Sequence, residues 1–259
     1  MPSFWWTQSV HADVLCKNIN MICPWMGSDV SRSVVGIDID TTGFKPIEVG
    51  KPAHRAKNYA WRIGLTTAES TPEGLVNTES GEILFNVPRE AMANSFEVRE
   101  MARLTGCERE DALDAVMVAI DKAPNVAELV PDLRALLTSR TVCSQTTSTF
   151  DGQWLSYLDV WRNDDVIDVV DTGMLLKSAA IPTYAHPDES VDLFYSRVYE
   201  HRLNGFKYSV DKFVVPELKK SGVLEPPADI PVTRSSAWDS YASLVMLQQM
   251  RLLVATAGR

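Results

Sequence analysis

A chain of 259 residues is long enough to bury a sizeable core, in one large domain or two small ones, and its 45% hydrophobic and 23% charged residues exclude disordered, collagen-like and disulfide-rich classes. The formal net charge of −9 argues against a protein that coats nucleic acid non-specifically, because such binding leaves a basic excess. It is compatible with a nuclease whose metal ions neutralise charge locally.

Cys16, Cys23, Cys107 and Cys143 show neither CxxC pairing nor the Cys/His spacing of zinc sites, so reduced, mostly buried thiols in a cytoplasmic chain are expected. The stretch MPSFWWTQSV has no basic segment followed by an apolar run, and no stretch of about 18 uncharged apolar residues occurs. The expectation is a chain neither secreted nor membrane-spanning.

Residues 1–32 read as an N-terminal extension rich in aromatics (Phe4, Trp5, Trp6, Trp25), which either packs on the main domain or carries a face for a protein partner. SVVGIDID then reads as a buried β-branched strand closed by a turn. NYAWRIGLTTA and GEILFNV follow as strands separated by a polar turn region, STPEGLVNTES, which suggests an antiparallel meander. From about residue 90 the period becomes helical, and Val126, Leu129, Val130, Leu133, Leu136 and Leu137 mark one apolar helix face. SRTVCSQ reads as a short strand, Phe150, Trp154, Leu158 and Trp161 repeat the helical spacing, and DDVIDVVDT reads as another buried strand. Beyond 172 helices are expected near 188–203, 208–220 and 237–256, the last with Ala242, Val245, Met246, Met250 and Leu253 on one face. This order of elements is mixed α/β.

Asp38 and Asp40 lie two apart on the first strand, so their side chains share a face there. Such a pair can begin a two-metal phosphodiesterase site, in which several carboxylates converge on cations roughly 3.5–4 Å apart. An isolated pair of this kind more often just ends a strand.

The order of the remaining acids changes the reading. GIDIDTTG resembles the first motif of the DnaQ-like, or DEDD, 3′–5′ exonucleases, an Asp-x-Glu pair on the first strand followed by Thr-Thr-Gly. STFDGQWLSYL is similar to the second, with Asp151 after Phe150 at a helix start. VVDTGMLLK looks like the Asp-Thr pair that commonly ends the next strand. SSAWDSYASLVML offers Asp239 for the third motif, an acid at the start of the last long helix. ARLTGCEREDALDA is similar to the segment that precedes the helix leading to the second motif. The resemblance covers about residues 33–256.

It implies an RNase H-like domain over residues 33–259, with a mixed β-sheet flanked by helices, and metal-dependent 3′–5′ hydrolysis of single-stranded DNA or RNA. Asp38, Asp40, Asp151 and Asp239 would hold two Mg²⁺ or Mn²⁺ ions, while Thr41, Thr42, Gly43 and Phe150 would contact the terminal nucleotide. The chain departs from the family in three places. Asp40 stands where Glu is usual, SQTTST replaces the His-Asn before the second motif, and the third motif lacks its general base. One subgroup carries His five residues before the last acid, where this chain has Arg234, and the other carries Tyr four before it, where this chain has Ser235. Arginine is no base near neutral pH, so Arg234 is assigned to phosphate.

His186, His201 and Lys212 have no expected place in the site, and Tyr241 is expected to pack. Trp5 and Trp6 are expected in a core or interface, and Lys219 and Lys220 on a solvated face as readily as on phosphate. A second reading, a degenerate exonuclease fold that binds or inhibits, rests on the missing base, the Asp40 change, the acidic charge and the aromatic extension. Against it stand four retained carboxylates that repel one another.

Overall fold

The computed structural model describes residues 11–47, 57–161, 166, 168–200 and 235–257. Trp5, Trp6, His201, the helix expected at 208–220, Lys219, Lys220 and Arg234 lie outside the described residues. The strands are β1 (Arg32–Thr41), β2 (Ala60–Ser70), β3 (Leu75–Leu84), β4 (Thr141–Ser144) and β5 (Asp168–Asp171), and they form one sheet in the order β3-β2-β1-β4-β5. β1 pairs antiparallel with β2 and β2 with β3, whereas β4 runs parallel to both β1 and β5. The helices are α1 (Ala12–Ile22), α2 (Arg89–Met92), α3 (Phe96–Thr105), α4 (Arg109–Ile120), α5 (Val126–Leu137), α6 (Gly152–Tyr157), α7 (Thr172–Ala180), α8 (Val191–Glu200) and α9 (Ser236–Ala257). A mixed sheet with this strand order, covered by helices, is the RNase H-like α/β architecture that the sequence led us to expect.

The β2–β3 connection is tighter than its composition suggests. Residues 70–80 look like a turn region, yet β2 runs to Ser70 and β3 starts at Leu75, and the turn is closed by the Thr71 N–H donating to the Gly74 carbonyl at 2.9 Å. β3 lies at the sheet edge and none of its residues is fully buried. Its polar residues are those of an edge strand, and they mask the strand signal.

Alternation along β1 divides the molecule. Val35, Ile37 and Ile39 face one layer, where Leu133 and Leu137 of α5 and Trp154 and Leu155 of α6 complete a core with Ile63 and Leu65. α5 starts cleanly because Asn125 and Glu128 form a capping box. On the opposite face Val34 joins the core built around α9. That helix is buried on all sides rather than along the single stripe expected, and several of its polar residues bond to the sheet and the segment before it. Ser240 Oγ lies 2.8 Å from Thr66 Oγ1, Gln248 Oε1 accepts from Ser70 Oγ at 2.8 Å, and Arg251 donates to the Ser70, Ser28 and Val30 carbonyls at 2.6, 2.9 and 2.7 Å. A third cluster, under α2–α4, holds Trp61, Met92, Leu113 and Ile120.

Of the two roles open to the extension, its described part takes the first. Val14, Leu15 and Ile19 of α1, with Trp25 and Met26, are buried in the same core as Trp238, Leu244 and Met250. Trp25 donates its indole N–H to Asp168 Oδ2 at 2.9 Å, so this aromatic is structural. Leu15→Ala is accordingly expected to cost about 2–5 kcal/mol, read as a lower urea midpoint with an unchanged slope. The four cysteines are free, with Cys16, Cys23 and Cys143 buried and Cys107 partly so. Among the described residues no helix is long and apolar enough to cross a membrane.

Candidate active site

Two glycines let α9 lie almost on the backbone of the sheet. A Cβ on Gly64 would fall 1.9 Å from the Ser236 carbonyl oxygen, and one on Gly36 would fall 2.2 Å from that of Ser240. Gly64 is the cross-strand partner of Asp38, so this approach sets the first turn of α9, with Asp239, over the end of β1. The helix is capped there by Ser235, whose hydroxyl accepts from the Trp238 N–H at 3.0 Å. That gives Ser235 a structural task at the position where one exonuclease subgroup places its Tyr.

Asp38 and Asp40 sit on the α9 side of β1, and the β1–β2 register shifts between Asp40 and Thr41. Bulges of this kind re-aim side chains at sheet edges and functional sites. Asp151 arrives from the parallel half of the sheet. After β4 the chain makes a wide π-type turn over Thr147–Asp151, where the helical spacing predicted an ordinary helix. The turn buries Asp151, whose Oδ2 accepts from Ser144 Oγ at 2.7 Å and Thr146 Oγ1 at 2.8 Å. Asp171 anchors the turn from β5 by accepting from the Ser148 N–H at 2.8 Å, and it caps α7 through the Met174 N–H at 2.8 Å. SQTTST thus supplies the hydroxyls that fix Asp151.

The four predicted acids share one electrostatic neighbourhood. Asp38 is held well above the usual carboxylate range, first by burial and then by repulsion from Asp40, Asp239 and Asp151, with Arg62 partly offsetting these. Burial likewise pushes Asp151 up to about 6, against hydrogen bonds from Ser144, Thr146 and the Ile39 backbone. Converging, partly desolvated carboxylates are what a hard divalent cation requires. The donor set fits such an ion in its chemistry, but it is not a finished cage. Among the described residues no three His, Cys, Asp or Glu side chains are grouped closely enough to hold a metal.

Three residues at the site do not stand out in the sequence. Arg62, opposite Asp40 on β2, donates to Asp40 Oδ2 through Nε at 2.6 Å, with Nη2 also at 2.6 Å, and its guanidinium lies over the Trp61 ring. Ser236 Oγ donates to the same oxygen at 2.6 Å. Glu82 of β3 pairs with Gly64, accepts from the Ala237 N–H at 3.2 Å and lies 3.9 Å from Arg62 Nη1. Strand register places Arg62 and Glu82 here, and the packing of α9 on the sheet places Ser236; the local sequence encodes neither.

The Thr-Thr-Gly loop is held by its own hydrogen bonds. Thr41 Oγ1 donates to the Gly43 carbonyl at 2.7 Å, Thr42 Oγ1 accepts from the Tyr59 N–H at 2.9 Å, and Gly43 packs against the Asn58 side chain. Phe150 stacks at a tilt against exposed Phe44, with ring centres 5.5 Å apart. Beside them a cavity of about 700 Å³ is lined by Phe44, Lys45, Ser148, Tyr157, Tyr195 and Tyr199, among others. His186 is exposed. Tyr241 stacks on Trp238, as expected of a packing residue.

The raised carboxyls fix the sign of a pH effect. Asp151 and Asp171 both titrate near 6 when folded, chiefly because they are buried, against about 4 in an unfolded chain. The stabilisation from their protonated forms is therefore complete below about pH 4 and is lost as pH rises through about 6. In EDTA the melting temperature is expected to fall between about pH 5 and pH 7, and Asp151→Asn to flatten that fall, as followed by circular dichroism.

No protein-family model matches the sequence, and no curated protein does. Among solved structures the chain is similar to E. coli Exonuclease I in complex with a dT13 oligonucleotide, at 13% identity and a TM-score of 0.45 over 88% of this chain and 42% of that one. For the complex of the same enzyme with a 5cy-dT13 oligonucleotide the values are 14%, 0.44, 87% and 40%. For the zinc-bound form of its single-stranded DNA complex they are 14%, 0.43, 87% and 41%. The chain spans about two fifths of the length of the Exonuclease I chains it matches.

Proposed function

We propose that this chain is a divalent-cation-dependent 3′–5′ exonuclease acting on single-stranded DNA or RNA. The observation that supports it is that β1, the π-type turn and α9 bring Asp38, Asp40, Asp151 and Asp239 into one electrostatic neighbourhood, where burial first and the other three carboxylates next disfavour the ionised Asp38. A fold with no use for a cation gains nothing from bringing together carboxylates that repel one another.

Asp38, with Asp151 and Asp239, would hold Mg²⁺ or Mn²⁺, and Asp40 belongs to the set through Arg62. The cation, when bound, lowers the pKa of an attacking water and polarises the scissile phosphate. The protein's own contribution is placement. Ser144 and Thr146 fix the Asp151 carboxylate, and the N-terminus of α9 adds a positive dipole end beside the acids. Phe150 and Phe44 offer rings on which bases stack, Thr41, Thr42 and Gly43 lie beside the terminal nucleotide, and Arg234 is assigned to phosphate.

The test uses single-stranded DNA and RNA oligonucleotides labelled at the 5′ end, incubated with Mg²⁺ or Mn²⁺. A ladder shortening from the 3′ end is expected, and it should vanish in Asp38→Ala. The Arg62–Asp40 pair favours a second reading, a degenerate fold that binds strands without cutting them. Retention of the labelled strand in a gel with no shortening under either metal selects that reading.

A further inference from the structure

Three exposed aromatic rings line one cavity from three different elements. Phe44 comes from the loop after β1, Tyr157 ends α6 and Tyr199 lies in the last turn of α8, and together they bound the cavity of about 700 Å³ beside the Thr-Thr-Gly loop. Single exposed aromatics are ordinary, but a convergent set in a concave site of this size marks a place for a ligand with flat faces. The rings are braced from behind. Tyr157 sits edge-on to buried Trp154 with centres 6.0 Å apart, and Phe44 leans on Phe150 at 5.5 Å. Lys177 Nζ donates to the Tyr199 carbonyl at 3.4 Å and lies 5.5 Å from the Tyr199 ring centre. Rings held in this way lose little freedom when a base stacks on them.

A second cavity, of about 630 Å³, shares Ser148, Gln153, Asp192 and Tyr195 with the first, so the two form one groove along α6 and α8. Among the described residues the charged side chains that line it are Lys45, Asp192 and Asp168. One cation against two carboxylates does not attract phosphates, whereas neutral rings and hydroxyls suit bases turned inward. We propose that this groove holds the bases that precede the 3′-terminal nucleotide of a single strand, stacked on Tyr157 and Tyr199 with the phosphates turned to solvent. The inference rests on the exonuclease reading above, which seats the terminal nucleotide at Thr41, Thr42, Gly43 and Phe150. Phe44, which touches Phe150 and lines the cavity, joins the two seats. Stacking tolerates any base sequence and adds few phosphate contacts, so binding depends weakly on salt.

Fluorescence anisotropy in EDTA, where no strand is cut, compares a labelled oligothymidylate with an abasic strand of the same length and charge. The abasic strand is expected to bind about tenfold weaker or worse. Tyr157→Ala and Tyr199→Ala are each expected to weaken the oligothymidylate about tenfold and to leave the abasic strand unchanged, while Tyr157→Phe and Tyr199→Phe keep the parent affinity. The slope of log affinity against log salt is expected to be shallower than about −2, the value for roughly three phosphate contacts. Circular dichroism melting checks that the variants fold, and if an alanine variant does not, the abasic comparison in the unmodified protein decides. Equal binding of the two strands overturns the proposal, as does a folded double alanine variant that binds oligothymidylate like the parent, or no binding of either strand. Stacked binding of this kind without 3′ shortening under Mg²⁺ or Mn²⁺ supports the groove and overturns the exonuclease reading. Shortening with equal binding of both strands does the reverse.

Discussion

Gly64→Ala is expected to destabilise the protein by about 3 kcal/mol or more and to abolish the proposed nuclease activity in whatever fraction stays folded. The added methyl has nowhere to go. Its position is 1.9 Å from the carbonyl carbon and oxygen of Ser236 and 2.4 Å from the Ala237 nitrogen, all backbone atoms of the α9 N-terminus. A flexible side chain could swing away, but a helix start can relieve this clash only by lifting off the sheet. Lifting it breaks the contact of Ser236 with Asp40, and of the Ala237 N–H with Glu82, and carries Asp239 away from Asp38. Chemical denaturation measures the first effect. An assay at a temperature where circular dichroism shows the variant folded measures the second. A variant as stable and active as the parent would mean that α9 sits farther from β2 than described.

Asp38→Asn should separate activity from stability. If the chain is the exonuclease proposed above, the expected loss of rate is about 10³-fold, roughly 4 kcal/mol of transition-state stabilisation, because the substitution removes a carboxylate from the acid cluster. In EDTA near neutral pH the same variant should melt higher than its parent. The ionised Asp38 is disfavoured by burial and by three neighbouring carboxylates, and an amide of nearly the same shape relieves both. Inactive yet more stable is the mark of a residue kept for function at a cost in stability. A lower melting temperature would show Asp38 to be structural, and any loss of activity would then follow from misfolding.

Most of the frame was legible in the chain because local physics agreed with it. The β-branched run before Asp38 is β1, Asp151 follows Phe150 into a helix, and Asp239 lies in the first turn of the last one. What escaped depends on pairing at a distance. Arg62 meets Asp40, and Glu82 meets Gly64, only through the register of β1, β2 and β3. The expected strand at 81–87 catches only the end of β3, because the polar residues of this edge strand hide its start at Leu75. The apolar spacing of Val14, Leu15 and Ile19 is that of a core helix, but it is short and lies among aromatics that suit a core and an interface equally well. The π-type turn at Thr147–Asp151 mimics helical spacing, so Phe150 and Trp154 suggested a continuous helix where the backbone widens to bury Asp151.

The claim that these acids form a cation site is tested most directly by locating the ion. In crystals grown with MnCl₂, an anomalous difference map is expected to show a peak bounded by Asp38, Asp151 and Asp239, with Arg62 remaining on Asp40. A map in which Mn²⁺ at millimolar concentration gives no peak among these carboxylates would contradict the account.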